Sequence, residues 1–392
     1  MKTFKLILLV LTLMAIHSCT HDIVLDEPIT YESKEIIQWK PEDGIRKFIP
    51  IQYLSHFSAN EIEYDESLLR GDDKLEQRGN QISIPAGSID ALAGAIASAG
   101  PGDVIVLESG MHTQNGTVTL DKPVSITGYD ATLHFTGTAF DPSLHLSAAF
   151  HIKPNAAYST IRGINFTNSD AFPGVCVFND GTEGVRLINN SMENWAFGIL
   201  SYNASYCVFS KNKVNASTLW QTIPGYNTMG IVISDGDHNH VIGNVIKNAL
   251  FGIFTGGTMG IDFKNYTYNC AFGQILCKLT PDVLTINGTL ISTQGSTNNW
   301  LVMFNNTENN FQSGYLVVDG ANKNHLDHNK AANNALYDIE VAGATTAFGY
   351  PTPAAFDNSV SAYTSLKIKD CGINTKIRGG TLEPNDATHP CR

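Results

Sequence analysis

Three things are scarce in this chain. Long apolar runs are the first: beyond the opening segment no stretch reaches about eighteen consecutive apolar residues, so no later segment reads as a membrane-spanning helix. Positive charge is the second. Lys and Arg number 25 against 37 Asp and Glu, a formal charge of −12. No basic run and no interleaved aromatic-basic patch offsets it, which argues against nucleic acid or an anionic membrane surface as the main partner. Helical periodicity is the third, since between Gly184 and Asp338 no piece holds a ten-residue helical pattern. Cys-x-x-Cys and Cys/His metal spacings are also missing.

What is present begins with a targeting segment over residues 1–18. Lys2 and Lys5 form its charged start, and Leu6 to Ile16 is an apolar run too short to span a bilayer. The run ends His17-Ser18-Cys19, which resembles a bacterial lipoprotein cleavage site. That resemblance implies lipidation of Cys19, an outer-membrane lipid anchor in the cell envelope, periplasmic or surface-exposed, and no other membrane contact. Residues 19–80 read as a tether and irregular extension, with Pro28, Pro41, Pro50 and an acidic run from Glu61 to Glu66. Phe48 to Leu54 is a possible edge strand within it. Six cysteines follow Cys19, and an exported chain permits disulfides. Cys371 and Cys391 flank the C-terminal end and are the favoured pair, while Cys176 and Cys207 read as small core residues.

The organising stretch runs from Gly184 to Asp338. One phrase recurs there: Asn194-Trp-Ala-Phe-Gly-Ile, Asn248-Ala-Leu-Phe-Gly-Ile, Asn269-Cys-Ala-Phe-Gly-Gln and Asn334-Ala-Leu-Tyr-Asp-Ile. An Asn series accompanies it: Asn190, Asn212, Asn244, Asn265, Asn287, Asn306 and Asn329, with steps of 22, 32, 21, 22, 19 and 23. Only the step of 32 breaks the period, and it holds the insertion Ser217–Thr228. A period of about 20 to 25 is a solenoid signal. Three residues before each Asn lies an apolar column (Leu187, Phe209, Val241, Leu284, Met303, Leu326), with Asp262 as its exception. The apolar pieces are three to five residues long and separated by Gly, Asn, Asp and Ser. Such pieces build a coil of three short parallel strands per turn, stacked about 4.8 Å apart. An Asn at one corner of every turn predicts a ladder of stacked amides.

These residues resemble the right-handed parallel β-helix (pectate-lyase-like) superfamily, in particular bacterial carbohydrate-binding and sugar-hydrolase repeat proteins. The resemblance covers roughly Ile82 to Gly380. It implies an all-β fold: a single-stranded right-handed parallel β-helix solenoid over residues 81–392, of about ten turns, with a short N-terminal capping helix. Residues Pro85 to Gly102 supply that helix, with Ser88 as its cap, Ile89, Leu92, Ala93 and Ile96 on one face, and Gly100-Pro-Gly102 as its stop. The open end of a coil exposes apolar core and strand edges, so something must cover it. The pieces Lys122-Pro-Val-Ser-Ile-Thr-Gly128 and Ala131-Thr-Leu-His-Phe resemble the first turns of many β-helix proteins. Among those are periplasmic proteins that assist copper-site assembly in nitrous oxide reductase.

The catalytic signatures of the best-known β-helix enzymes are missing. The only Asp-Asp is Asp72-Asp73, ahead of the coil; Gly-His-Gly is absent, and Lys376-Ile-Arg378 has the wrong order for a polygalacturonase. The clustered carboxylates of pectate lyases are absent as well. A weaker constellation remains. Counted from the glycines that open one strand of each turn, the corners are Asp180, Asn203, Asp235 and Asp319. Asp180 and Asp235 would stand about 9.6 Å apart, a spacing at the edge of what suits a water-activating carboxylate and a protonating one. Asp-Gly corners are equally what tight turns demand. Asp237 and His238 add a possible general base and its orienting carboxylate. His240 and His325 share one column four turns apart, about 19 Å, too far for one metal. No metal or cofactor is therefore expected. Trp220 and Tyr226, on the insertion, offer rings that stack on sugar faces or else a cover packed on the coil. The expected site joins catalytic Asp180, Asp235, Asp237 and His238 to substrate-binding Trp220, Tyr226, Asn203 and His240.

The reading is an exported, monomeric lipoprotein that binds or processes a polysaccharide along a groove, with enzymatic activity open between hydrolase, lyase and binding alone. Two other classes stay in view: a non-enzymatic assembly factor like the copper-site maturation proteins, and a structural or adhesive surface protein.

Overall fold

A computed structural model describes residues 79–138, 145–224, 226–277, 283–286, 289–292, 297–346, 351–386 and 391, with backbone alone for 145–146, 283–286 and 289–292. The expectations for the segment 1–18, Cys19, the tether and Phe48–Leu54 lie outside the described residues.

The chain is the expected right-handed parallel β-helix. Each turn contributes one strand to each of three parallel sheets. The first sheet carries the strands Arg186–Ile188, Val208–Ser210, His240–Ile242, Ile261–Phe263 and Leu301–Met303 in successive turns. The second carries Ser191–Trp195, Lys213–Ala216, Val245–Lys247, Tyr266–Tyr268 and Asn306–Glu308. The third is 11-stranded and includes Val175–Asp180, Phe197–Tyr202, Met229–Ser234, Phe251–Thr255 and Phe272–Cys277. Alternation along each strand sends Leu187, Phe209 and Val241 from the first sheet into the lumen. Met192, Val214 and Ile246 enter from the second, and Val177, Ile199, Ile231 and Ile253 from the third.

The asparagine ladder is present at the corner between the first two sheets. Asn190, Asn212, Asn244 and Asn265 are buried, and each Nδ2 donates to the Oδ1 of the next at 3.2, 3.1 and 2.9 Å. The ladder then differs from the sequence expectation. Asn265 donates to Asn305, not to Asn287 or Asn306, and Asn305 donates to Asn329. The reason is backbone geometry. Each ladder Asn follows a left-handed residue, and Phe304 at φ 55° occupies that place. Asn306 is one position further on and its amide bonds Glu308 outside the coil. Asn287 lies outside the described residues. The inward column accordingly passes through Val302 rather than Met303. Two further Asn ladders lie at the other corners: Asn324 with Asn358, and Asn310 with Asn334.

A helix at Ala91–Ser98 caps the N-terminal end. It starts two residues later than expected, with Asp90 rather than Ser88 before its first residue. Asp90, left-handed at φ 55°, is its N-terminal boundary, and the Ser88 hydroxyl donates instead to the Pro85 carbonyl. The later start shifts the buried face to Leu92, Ala95, Ile96 and Ala99, leaving Ile89 and Ala93 exposed. At the other end Cys371 and Cys391 form the expected disulfide. Cys176, Cys207, Cys270 and Cys277 are free, and burial raises every one of these thiols. They are core residues, not nucleophiles.

The outer faces of the sheets decide where a ligand could sit. The outward column of the third sheet is Phe178, Leu200, Val232, Phe254, Ile275 and Leu316, all buried. Part of its cover is the insertion, through Leu219, Trp220, Ile223 and Tyr226. A hairpin, Val283–Ile286 with Thr289–Ser292, follows Cys277. Its first strand pairs with His145–Leu146. The outer face of the first sheet is also apolar and buried at Val208, Ile242, Ile261, Phe263 and Leu301. The expected open groove along a sheet face is found on neither. The second sheet differs, presenting Asn165, Glu193, Lys213 and Lys330 to solvent.

Candidate functional site

The expected residues divide between the two ends of the third-sheet strands. Asp180, Asn203, Asp235, Asp237 and His238 gather at the exit corner, where the chain turns toward the first sheet. Trp220 and Tyr226 belong to the entry edge. Met229 and Ser234 mark those ends on one strand, about 17 Å apart at the usual rise. The expected placement of the aspartates beneath the Trp220 loop is therefore corrected. Trp220 is half-buried; its Nε1 donates to the Asn248 carbonyl at 2.8 Å and its ring meets Phe311 edge-on. Tyr226 is 1% exposed and its hydroxyl donates to the Pro173 carbonyl. Both rings pack as cover on the third sheet, Tyr226 fully buried and Trp220 partly so. His240 points outward from the first sheet between Val208 and Ile261 and is buried, so it does not offer a ligand contact either.

At the exit corner the two aspartates occupy neighbouring columns, not the same one. Val175 pairs with Phe197, so Gly198 falls opposite Cys176 and counting from Gly174 misplaces the register. Asp180 aligns with Tyr202 and Ser234. Asp235, one residue beyond Ser234, follows Asn203 in a left-handed column at φ 60° and 45°. A Cβ on Gly236 would stand 2.1 Å from the Ala204 carbonyl oxygen, so the Asp-Gly turn requires its glycine.

Asp180 gains a partner that the sequence reading missed. The Nε2 of His151 lies 3.0 Å from its Oδ2, and the imidazole packs on Phe178 with ring centroids 4.9 Å apart. His151 is 4% exposed and Asp180 20%. The pair thus presents a carboxylate to solvent with a histidine behind it. Tyr202, half-buried, is the next outward residue in the Asp180 column.

One step round the corner, rings stack along the coil axis. Tyr158, Tyr206 and His238 are all left-handed. His238 lies flat on Tyr206, with centroids 5.0 Å apart and planes within 5°. Gly184 occupies the intervening turn, and a Cβ there would collide with the Tyr158 ring at 2.4 Å. Glycine thereby lets Tyr158 lie across that turn toward Tyr206. Tyr158 is 65% exposed and Tyr206 44%. The Tyr158 hydroxyl meets Glu183, whose negative charge raises the phenol above its ordinary range. Beside the stack, exposed Asp237 accepts from Thr258 Oγ1, and its backbone N–H donates to Ser205 Oγ. The corner thus combines ring faces with hydrogen-bonding carboxylates. Left-handed tyrosines are uncommon, and that strain leaves no trace in residue order.

A second ring pair lies on the open second sheet. Tyr266 and Tyr268 stack at 4.9 Å, and the Tyr266 hydroxyl donates to Glu308 at 2.9 Å. Burial and Glu308 push that phenol up to about 12. Among the described residues no cluster of three or more His, Cys, Asp or Glu could hold a metal ion.

No protein-family model and no curated protein matches the chain. Solved structures with a similar course include the catalytic domain of a GH87 alpha-1,3-glucanase in complex with nigerose. It is 15% identical, with 80% of this chain and 67% of that chain covered and a TM-score of 0.42. An alginate lyase from Paenibacillus sp. is 13% identical over 78% of this chain and 99% of its own, at a TM-score of 0.42. The A-module of an Azotobacter vinelandii mannuronan C-5 epimerase is 12% identical over 76% and 94%, at 0.36. These are likenesses of course alone, and the assignment of the chain as a right-handed parallel β-helix stands on its own three parallel sheets.

Proposed function

We propose that this chain is an exported, lipid-anchored protein of the cell envelope that binds a polysaccharide along the exit corner of its coil. The observation that carries this reading is the run of exposed Tyr158 and Tyr206 and half-buried His238, with Glu183 and Asp237 beside it. A sugar ring has apolar C–H faces and a rim of hydroxyls. Aromatic faces serve the first and carboxylates the second. The rings are spread along several turns of the coil, which suits a polymer better than a single sugar.

Processing of the polymer is the finer proposal. Asp180 and Asp235, with Asp237 and His238 beside them, are its acid-base groups, and His151 positions Asp180. Two strand spacings separate the Asp180 and Asp235 turns, roughly 10 Å, near the upper end for a carboxylate pair with water between them. Lipidation at Cys19 is proposed from the sequence alone.

The test is a panel of polysaccharides read both for binding and for released ends. Wild type should bind at least one glycan. Tyr206→Ala should weaken that binding by about threefold to tenfold, the scale of one ring contact. Trp220→Ala should leave affinity unchanged once the protein is folded. Binding untouched by Tyr206→Ala and Tyr158→Ala together would refute the exit corner as the site.

A further inference from the structure

The lumen changes character at one turn. Below it the three sheets send in Val241, Ile246 and Ile253. The next turn sends in Asp262, Thr267 and Gln274 from the same three columns. All three are buried, at 1%, 0% and 1% exposed. The turn above adds Thr307 and Tyr315 to two of those columns. Polar groups thus enter the axis from every side of one turn, where an aliphatic core was continuous.

Their hydrogen bonding is incomplete. Asn265 donates to Asp262 Oδ1, and Tyr315 donates to the Lys330 carbonyl at 3.0 Å. Both ends of the Gln274 carboxamide lack a protein partner, as does the hydroxyl of Thr267, while the Thr307 hydroxyl meets that of Tyr315. Exchanging the oxygen and nitrogen of Gln274 does not help, because neither is bonded. Three unpaired atoms on one buried turn are far from the native norm, in which buried polar groups are almost all paired.

We infer that this turn of the coil is an internal water-binding site, in which ordered water bridges the Gln274 carboxamide to Thr267, Thr307 and Asp262. The choice of ligand follows from the donor set. A hard cation would suit the oxygens of Asp262, Thr267, Thr307 and Gln274, but it would leave the carboxamide N–H₂ facing a positive charge. Water both donates and accepts, so it alone satisfies an amide and two hydroxyls together. Buried waters ordinarily make two to four such bonds, and this chamber offers at least that number. Thr267 is also shorter than Ile246 on the turn below, which leaves room. The site is enclosed in the lumen and is separate from the exit corner.

A crystal structure at a resolution that places ordered water tests this directly. At least one water should lie within hydrogen-bonding distance of Gln274 and of Thr267 or Thr307. A chamber without water, or one holding an ion at metal-ligand distances, would overturn the inference. In solution, magnetic relaxation dispersion of the water signal counts long-lived internal waters. The Thr267→Val, Gln274→Met variant should lose dispersion amplitude relative to wild type, and unchanged amplitude in a folded variant would likewise overturn it. Should that variant fail to fold, the wild-type crystal structure still decides.

Discussion

Asn244→Ala removes one rung from the middle of the ladder. Its Oδ1 accepts from the Asn212 backbone N–H at 2.8 Å and from Asn212 Nδ2 at 3.1 Å. Its Nδ2 donates to the Phe209 carbonyl at 2.8 Å and to Asn265 Oδ1 at 2.9 Å. The losses are unequal. Asn212 Nδ2 keeps the Leu187 carbonyl, and Asn265 Oδ1 keeps the Asn244 backbone N–H. The Asn212 N–H keeps nothing, and it is buried. One orphaned donor costs about 1–3 kcal/mol, and the weakened bonds around it bring the total to about 2–4 kcal/mol. Asn165→Ala is the control, because Asn165 is exposed on the second sheet, and it should stay within about 0.5 kcal/mol of wild type. Asn239 would be a poor control: it is 0% exposed, donates to the Ala204 carbonyl and accepts from the Cys207 N–H. Denaturant unfolding of the two variants gives the comparison. Equal midpoints would refute the ladder as a source of stability.

Burial raises Asp262 from 3.8 to about 7, so its folded form keeps a proton that the unfolded chain releases. Stability should fall as pH rises from about 4 to about 7 and then level, and Asp262→Asn should abolish that fall, worth at most about 4 kcal/mol. A wild-type unfolding free energy with the same pH dependence as the Asn variant would contradict this. If the protein cleaves its glycan, Asp235→Asn should lower the rate about a hundredfold or more with unchanged melting. Asn tolerates the same left-handed turn, as Asn203 does, so a fully active variant would reduce Asp235 to a turn residue. Cys19→Ala should release the protein from the membrane fraction, and a variant still membrane-bound without lipid would show the signal misread.

The parts of the fold legible in the sequence are those written as local repetition. The corner asparagines, the recurring Ala-Phe-Gly phrase and the terminal cysteine pair each state a contact directly. Asn305 was lost because Asn287 happens to fall at the expected interval from Asn265 and Asn306 stands next to it. Residue counting cannot tell a rung from a coincidence when the chain leaves and returns. His151 escaped notice because it precedes the clear repeat, and Tyr158 reaches Tyr206 only through an absent Cβ at Gly184. The covered faces did leave a signal. Val175-Cys-Val-Phe and Met229-Gly-Ile-Val-Ile are apolar without alternation, which marks strands buried on both sides. That pattern also places Trp220 and Tyr226 among cover rather than ligand contacts.

Between Cys277 and Thr297 lies the hairpin Val283–Ile286 with Thr289–Ser292, yet Asn265 and Asn305 still meet at 3.2 Å. The insertion Ser217–Thr228 lies likewise between Asn212 and Asn244. Sequence length and place in the frame are thereby uncoupled. Only the two ends of a detour must meet, and the entropy of closing a longer one grows slowly. Such a scaffold can acquire, enlarge or exchange an ornament without renegotiating its interior, so its frame and its decorations are free to evolve at separate rates. The same property makes the hairpin Val283–Ile286 with Thr289–Ser292 a splice point at which an engineer could exchange cargo while the rungs remain in step.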